Sequence, residues 1–111
     1  MTGADDSRGS RLSVGNYETL DPEFLKAMNE IGHYGNEKYR EESFFKNPTR
    51  SERKSTRAIV QHIQKHCEEF VAGVEHDHFH TLEHQLAAVA FNAMMEFYMF
   101  KREQAAKNAK S

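Results

Sequence analysis

Three stretches of the chain place apolar residues at the three- and four-residue spacing of an α-helix. The first begins after Asp21, which suits the N-cap, and Pro22, which suits the first helical position. Its apolar face contains Phe24, Leu25, Met28, Ile31 and Tyr34. Gly32 and Gly35 each cost a helix about 1 kcal/mol relative to alanine. They therefore predict either a close contact with another helix or fraying before Tyr39.

A second helix is predicted to begin at residues 49–52, because their Thr-Arg-Ser-Glu sequence forms a capping box. Gly73 is the expected end of this helix. Residues 41–48 form a loop before it, and we expect Phe44 and Phe45 to fold onto the core. The buried stripe of the helix is predicted to contain Ile59, Ile63 and Phe70, flanked by Val60, Cys67 and Val71.

The third predicted helix follows Thr81, its expected N-cap, and is apolar on nearly every side. One face carries Leu86, Val89, Ala90, Ala93 and Phe97, and another carries Phe91, Met94, Met95 and Tyr98. A helix that is apolar all round is normally surrounded, and three helices rarely surround one of their number. The pattern therefore predicts an all-α, three-helix domain that packs as a homo-oligomer through its third helix. We assign residues 1–19 to a flexible arm, 20–100 to the domain and 101–111 to a basic helical tail.

Composition narrows the class of protein. A chain of 111 residues with 29% charged residues is expected to form one soluble domain. A net charge of −2 does not indicate binding to nucleic acid or to a membrane surface. Cys67 is the single cysteine, so we expect no internal disulfide and a cytoplasmic location. The first twenty residues lack the pattern of a secretory signal, and polar residues interrupt the third helix too often for a membrane span.

Histidines gather before the third helix, where four of the seven occur within nine residues: His76, His78, His80 and His84. His80 and His84 are separated by one helical turn, and together with Asp77 they are a candidate site for a divalent metal such as Mg²⁺, Mn²⁺ or Zn²⁺. His62 and His66 repeat the same spacing on the second helix. The alternative is that these histidines lie on the surface and pair with neighbouring glutamates.

Three further features allow both a ligand-binding and a structural interpretation. A basic run suits phosphate near a helix N-terminus, or it is a solvated face: Lys46, Arg50, Arg53, Lys54 and Arg57. Tyr34 and Tyr39, on either side of Lys38, can stack a base while the lysine holds a phosphate; alternatively, the tyrosines lie at the edge of the core. Asn92 lies in the middle of the apolar helix, where its amide fixes the register between helices or contacts a ligand.

Three segments resemble a known family. They are Tyr-Gly-x-x-Lys-Tyr at residues 34–39, the His62 helix with Phe-Val-Ala-Gly at 70–73, and Leu-Ala-Ala-Val-Ala-Phe-Asn at 86–92. The resemblance covers about residues 21–100 and is to the N-terminal domain of dATP/dGTP diphosphohydrolase, a largely phage-borne helical family. The matching positions are Tyr34, Gly35, Lys38, Tyr39, His62 and Asn92. The family usually has a histidine where this chain has Gln85. His84, one position earlier, is rotated from it by about 100° around the helix.

The resemblance implies that the chain handles a nucleotide or another phosphorylated small molecule. As an enzyme it would be a metal-dependent (d)NTP hydrolase, with His80, His84 and Asp77 around the ion and a metal-bound water attacking phosphorus. Phosphate charge would be balanced by Lys38, Arg53 and Arg57, the base would stack on Tyr34 and Tyr39, and the ligand would be oriented by His62 and Asn92. Two alternatives stay open: a non-catalytic protein that binds or sequesters nucleotides, and a homo-oligomerising interaction module.

Overall fold

The computed structural model describes residues 19–76 and 81–110, with only the backbone of residue 110. Within these ranges the chain forms three α-helices and no strand, which confirms the all-α prediction. The helices are α1 (Pro22–Tyr39), α2 (Thr56–Ala72) and α3 (Leu82–Lys110). A short 3-10 helix, Arg40–Glu42, follows α1. None of the helices in the described part of the chain is long and apolar enough to cross a membrane.

Helix α1 begins where its local signals predict. The Asp21 carboxylate accepts a hydrogen bond of 2.8 Å from the Phe24 N–H, and Pro22 occupies the first helical position. At the other end, the backbone of Arg40 has a φ of 53°, which lies in the left-handed region, and its N–H donates to the Asn36 carbonyl. The buried Ser43 hydroxyl donates to Asn36 Oδ1 at 2.8 Å, which holds the turn against the end of the helix.

Helix α2 begins at Thr56, so the prediction of a start at residues 49–52 was wrong. Ser55 is the N-cap, and its hydroxyl accepts a hydrogen bond of 3.1 Å from the Ala58 N–H. In the preceding non-helical segment, the Arg50 guanidinium reaches across to carboxylates on α3. Gly73 ends the helix as predicted, with a φ of 71° that suits a residue without Cβ.

Helix α3 begins after Thr81, whose hydroxyl accepts a hydrogen bond of 3.4 Å from the His84 N–H. It continues without a break through the segment predicted as a separate tail. Arg50 binds Glu103 in that segment at 2.8 Å and Glu96, about two turns earlier on the same face of α3, at 2.7 Å. This ion-pair cluster therefore fastens the loop before α2 to the C-terminal half of α3.

Helices α1 and α2 both pack against α3 and do not pack against each other. Small side chains on α3 allow this close approach, since Ala87 and Ala88 are buried beneath the two helices. The buried apolar core comprises Ala27, Ile59, Ala87, Ala88, Phe91 and Met99. The arrangement leaves a cleft with α1 and α2 as its walls and α3 as its floor.

Gly32 of α1 lies in close contact with Phe91 of α3. A Cβ at Gly32 would lie 2.9 Å from the Phe91 ring and 3.1 Å from the Phe45 ring. Phe44 packs edge-on against both Phe91 and Tyr98, with centroids 6.4 Å and 5.4 Å apart. Of the two explanations predicted for the glycines, a close helix contact therefore applies to Gly32.

Several apolar positions predicted to be buried are exposed. On α1, Phe24 and Leu25 retain 38% and 41% of their accessible surface because the helix packs through Ala27 and Gly32 instead. Large side chains are also exposed along α3: Leu86, Met94, Phe97 and Phe100. Within this chain α3 is thus covered on one side only.

The two glycines of α1 provide a matched test of the helix contact. We expect Gly32→Ala to destabilise the fold by about 1–3 kcal/mol, because overpacking against Phe91 exceeds the gain in helix propensity. Gly35→Ala should stabilise it by up to ~1 kcal/mol, since the nearest side-chain atom, on Tyr39, lies 3.9 Å from the new Cβ. Urea unfolding measures both variants, and equal stabilisation by the two alanines would contradict the close contact.

The Arg50 cluster predicts a pH dependence of stability. Hydrogen bonding to Arg50 lowers the pKa of Glu96 below its ordinary value near 4.5. A carboxylate with a lowered folded-state pKa stabilises the fold above its unfolded-state pKa, and this contribution disappears as the pH falls through the folded-state pKa. We expect Arg50→Met to cost about 1–2 kcal/mol at pH 7, with the difference from wild type shrinking below about pH 4.

The control for this variant is Lys46→Met, because Lys46 forms a longer, exposed ion pair with Glu41 at 3.7 Å. Exposed pairs contribute little, so this variant should unfold at nearly the wild-type urea concentration at both pH values. A loss of stability in Arg50→Met that is the same at pH 7 and pH 3 would contradict the ion-pair explanation.

Candidate functional site

A pocket of about 170 Å³ occupies the cleft between α1 and α2. Its walls come from the C-terminal half of α1, the loop before α2 and the first three turns of α2. Its floor is α3, which contributes His84, Ala88, Phe91, Asn92 and Met95. The two wall helices both pack on α3 and do not pack against each other, so packing of the core also shapes the site.

Seven of the residues predicted from the sequence line this one pocket: Tyr34, Lys38, Tyr39, Arg53, His62, His84 and Asn92. They come from all three helices and the loop before α2. Arg57 is exposed and is not among the lining residues. Asp77 and His80, the other predicted metal ligands, lie outside the described residues.

Cations and aromatic rings alternate along one wall of the pocket. The Arg53 guanidinium lies 3.7 Å from the centroid of the Tyr39 ring, and Lys38 Nζ lies 5.3 Å from the same centroid. Lys38 Nζ is also 5.8 Å from the centroid of Tyr34. Arg53 donates a hydrogen bond to the carbonyl of Glu42, which holds its planar group over the tyrosine. This wall thus presents two positive charges beside two aromatic faces, and of the two cations Arg53 is the one held by a hydrogen bond.

Lys54 contributes a buried cation that the sequence analysis placed in the basic run without assigning it to the site. Its side chain is 1% exposed, lines the pocket and donates a hydrogen bond to the carbonyl of Asn47. Desolvation lowers the pKa of this amine, with a smaller contribution from Arg53. An ammonium has three N–H donors, so Lys54 retains donor capacity for an acceptor that enters the pocket.

His84 forms hydrogen bonds through both ring nitrogens. Its Nε2 lies 3.1 Å from Glu30 Oε1, and its Nδ1 lies 2.8 Å from the Thr81 hydroxyl. A proton on Nε2 satisfies both contacts, because the ring then donates to Glu30 and accepts from Thr81. The bond from His84 is the main cause that lowers the pKa of Glu30, followed by the bond from Lys26. His84 therefore connects the floor of the pocket to α1.

The remaining two predicted residues on α2 and α3 bond within their own helices. His62 Nδ1 lies 2.9 Å from the Ala58 carbonyl, so it donates that proton and leaves Nε2 as an acceptor. Asn92 Nδ2 donates to the Ala88 carbonyl at 2.8 Å. This Asn92 bond does not join two helices.

His66, also in the lining, belongs to a part-buried chain of hydrogen bonds between α2 and α3. Its Nδ1 lies 2.5 Å from Gln85 Oε1. Gln85 is 1% exposed, and its Nε2 donates to Glu69 Oε1 at 2.8 Å and to the Val74 carbonyl at 3.2 Å. Burial is the main cause that lowers the pKa of His66. The only sequence signal for His66 was its position four residues after His62.

All charged side chains that line the pocket are basic. Lys38, Arg53, Lys54 and Lys65 are accompanied by three histidines, and none of the described lining residues is Asp or Glu. The chain as a whole has a net charge of −2, so this is a local segregation of charge. Such a pocket, with aromatic rings on its walls, is suited to a ligand that combines an anionic group with a flat ring.

A metal site does not follow from the same residues. Residues 19–76 and 81–110 contain no group of three His, Cys, Asp or Glu side chains arranged to bind a metal ion. His84 is the one predicted ligand within these ranges, and both of its nitrogens already take part in hydrogen bonds.

Comparison with known proteins adds a family assignment. The family model described as dATP/dGTP diphosphohydrolase, N-terminal, matches residues 5–109. The chain belongs to this family. No curated protein and no solved structure gives a significant match to it. The resemblance in the three short segments is thereby confirmed across nearly the whole chain.

The family position that usually holds histidine is Gln85 in this chain, and the structure directs Gln85 and the adjacent His84 toward different helices. Gln85 turns toward α2 and is buried against Glu69 and His66. His84 lines the pocket and bonds to Glu30 on α1. The rotation of about 100° between consecutive helix positions thus directs one side chain toward each wall of the cleft.

Proposed function

We propose that this chain is a nucleotide-binding domain and that the pocket between α1 and α2 holds the nucleotide. The observation that carries the proposal is the charge of the lining, where four lysine and arginine side chains occur without a described carboxylate. A nucleotide combines a polyanion with a flat base, so both halves of the lining, basic and aromatic, have a role. The family name, which refers to dATP and dGTP, agrees with this ligand class.

The volume of the pocket suits the base alone. About 170 Å³ is close to the ~150 Å³ of an engineered protein cavity that binds benzene. In the proposed complex the base enters between the tyrosines of α1 and the Phe91 ring at the floor, where stacking on aromatic faces is favourable. The sugar and phosphates then lie toward the mouth of the cleft.

Phosphate oxygens in this complex are bound by the cations around the mouth. Arg53 offers a planar fork of N–H donors, held against Tyr39, that matches two phosphate oxygens at once. Lys38 and Lys65 supply flexible point charges from opposite walls, and Lys54 supplies a buried one. An anionic ligand would repay the cost of burying Lys54 away from water with one carbonyl partner.

Hydrolysis of the bound nucleotide is the second candidate function, and the family name favours it. It would use a divalent ion, for which the sequence offers Asp77 and His80 together with His84, and His84 would have to exchange its hydrogen bond to Glu30 or to Thr81 for the ion. Turnover requires the ion, whereas binding by the basic pocket does not. Dependence on metal therefore separates a hydrolase from a protein that only binds or sequesters nucleotides.

Thermal unfolding of metal-stripped protein with dATP, dGTP and the corresponding ribonucleotides tests nucleotide binding directly. A ligand at a hundredfold excess over its dissociation constant stabilises the folded state by about 2.7 kcal/mol, which raises Tm by roughly 10 °C for a domain of this size. The same samples with Mg²⁺, Mn²⁺ or Zn²⁺, analysed for phosphate and pyrophosphate release, test hydrolysis. No shift with any nucleotide would overturn the proposal and favour an interaction module.

Arg53 and Arg57 form a matched pair of charge variants. Arg53→Ala should weaken nucleotide binding by about ten- to a hundredfold, because a hydrogen bond between charged groups is lost. Arg57→Ala removes the same charge from an exposed position outside the pocket and should retain wild-type affinity. Equal weakening by both variants would indicate attraction by overall charge and not this site.

We also propose that the exposed side of α3 binds a second copy of the chain. Five apolar positions there, Leu86, Ala90, Ala93, Phe97 and Phe100, are separated alternately by four and three residues. This spacing is the one with which two like helices interlock along a shared seam. Phe97 is 64% exposed and Phe100 is 47% exposed, and such contiguous apolar surface is unusual on a monomer.

The assembly is tested by light scattering coupled to size-exclusion chromatography. We expect a dimer or a larger assembly for the wild type and a monomer for Phe97→Glu, since burial of an unpaired charge within the seam is unfavourable. Val71→Glu places the same charge on α2 at a position 85% exposed and should leave the mass unchanged. A monomeric wild-type protein would contradict the proposal.

A further inference from the structure

Gln85 is a buried amide whose orientation follows from its partners. Its Nε2 faces Glu69 Oε1 at 2.8 Å and the Val74 carbonyl at 3.2 Å. A carbonyl oxygen only accepts hydrogen bonds, and so does an ionised carboxylate. The bond from Gln85 is also the main cause that lowers the pKa of Glu69, which keeps that carboxyl ionised. A flipped amide would place its oxygen against both acceptors, so Gln85 Oε1 must face His66.

The orientation of Gln85 determines where the His66 ring carries its proton. Because Gln85 Oε1 only accepts, His66 Nδ1 at 2.5 Å must be protonated and donate to it. Burial lowers the pKa of His66, so the ring is neutral near pH 7 and Nε2 keeps its lone pair. Nε2 is the remaining polar atom that this ring can offer to the pocket it lines.

We infer that His66 Nε2 is a fixed hydrogen-bond acceptor that takes an N–H or O–H donor of the bound ligand, with Gln85 and Glu69 as the positioning residues. The identity of the ligand in this inference rests on the proposed function, whereas the protonation of the His66 ring does not. It assigns a specificity role, since a site with a fixed acceptor disfavours ligands that lack a matching donor.

His66 and the cations of the pocket have opposite hydrogen-bonding roles. Along α2, the charged and titratable neighbours of His66 are His62, Lys65 and Glu69, and α3 contributes His84 to the same lining. The other walls bring the cations Lys38, Arg53 and Lys54, all of which only donate. Attraction of phosphate by these cations does not distinguish one nucleotide from another. An acceptor in the lining can do so through the donor groups of the base.

The first experiment measures the ring directly, by a long-range ¹H–¹⁵N correlation spectrum of ligand-free protein near pH 7. We expect a protonated Nδ1 and an unprotonated Nε2 for His66. In Gln85→Met the acceptor is lost, and the Nδ1 signal should shift toward the unprotonated position. A purely structural role of Gln85 would not change the site of protonation. Protonation of Nε2 in the wild-type ring would overturn the inference without any use of a variant.

The second experiment measures dissociation constants for dATP and dGTP. His66→Ala should bind at least one of them about tenfold more weakly, because a ligand donor loses its partner. Gln64→Ala, on an exposed position of α2, should retain wild-type binding. Unchanged binding by His66→Ala would overturn the ligand contact. If the wild-type protein binds neither nucleotide, the proposed function fails, while the spectrum still decides whether His66 presents a fixed acceptor.

Discussion

The close packing of Gly32 against the Phe91 ring is the contact on which the shape of this molecule depends. With no Cβ at Gly32, α1 can approach α3 until the ring fills the space beside its backbone. Helix α2 also packs on α3, where Ala87 and Ala88 are buried, and it does not pack against α1. A larger residue at position 32 would push α1 outward, so the width of the pocket and the stability of the core depend on one interaction.

Acidic and basic side chains occupy different parts of the structure. Several acidic side chains form structural bonds: Glu96 and Glu103 with Arg50, and Glu30 with His84. Glu69 lies 3.8 Å from the lining cation Lys65 but is not itself among the lining residues. A chain with a slightly negative net charge thus contains a locally positive cavity. The net charge of the chain therefore does not reveal the charge of the pocket lining, because a solvated surface and a cavity contribute to it equally.

Two histidines at the pocket show how buried partners set the chemistry of a side chain. His84 is satisfied with its proton on Nε2, between Glu30 and Thr81, whereas His66 must carry its proton on Nδ1 because it meets the oxygen of Gln85. Identical side chains thereby offer opposite properties, one joined to α1 and one with an acceptor at the pocket. Neither assignment follows from the spacing of histidines along the chain.

The sequence alone determined the features that depend on neighbouring residues. Asp21 and Pro22 begin α1 and Gly73 ends α2 because caps act within one helical turn. The helical class was predicted from periodicity, and seven of the lining residues were predicted from short family segments, the basic run and the histidine cluster. The tertiary structure decided the start of α2, the buried faces, and the parts played by Lys54 and His66. These depend on contacts such as that of Arg50 with Glu96, 46 residues away, which form only when distant parts of the chain meet.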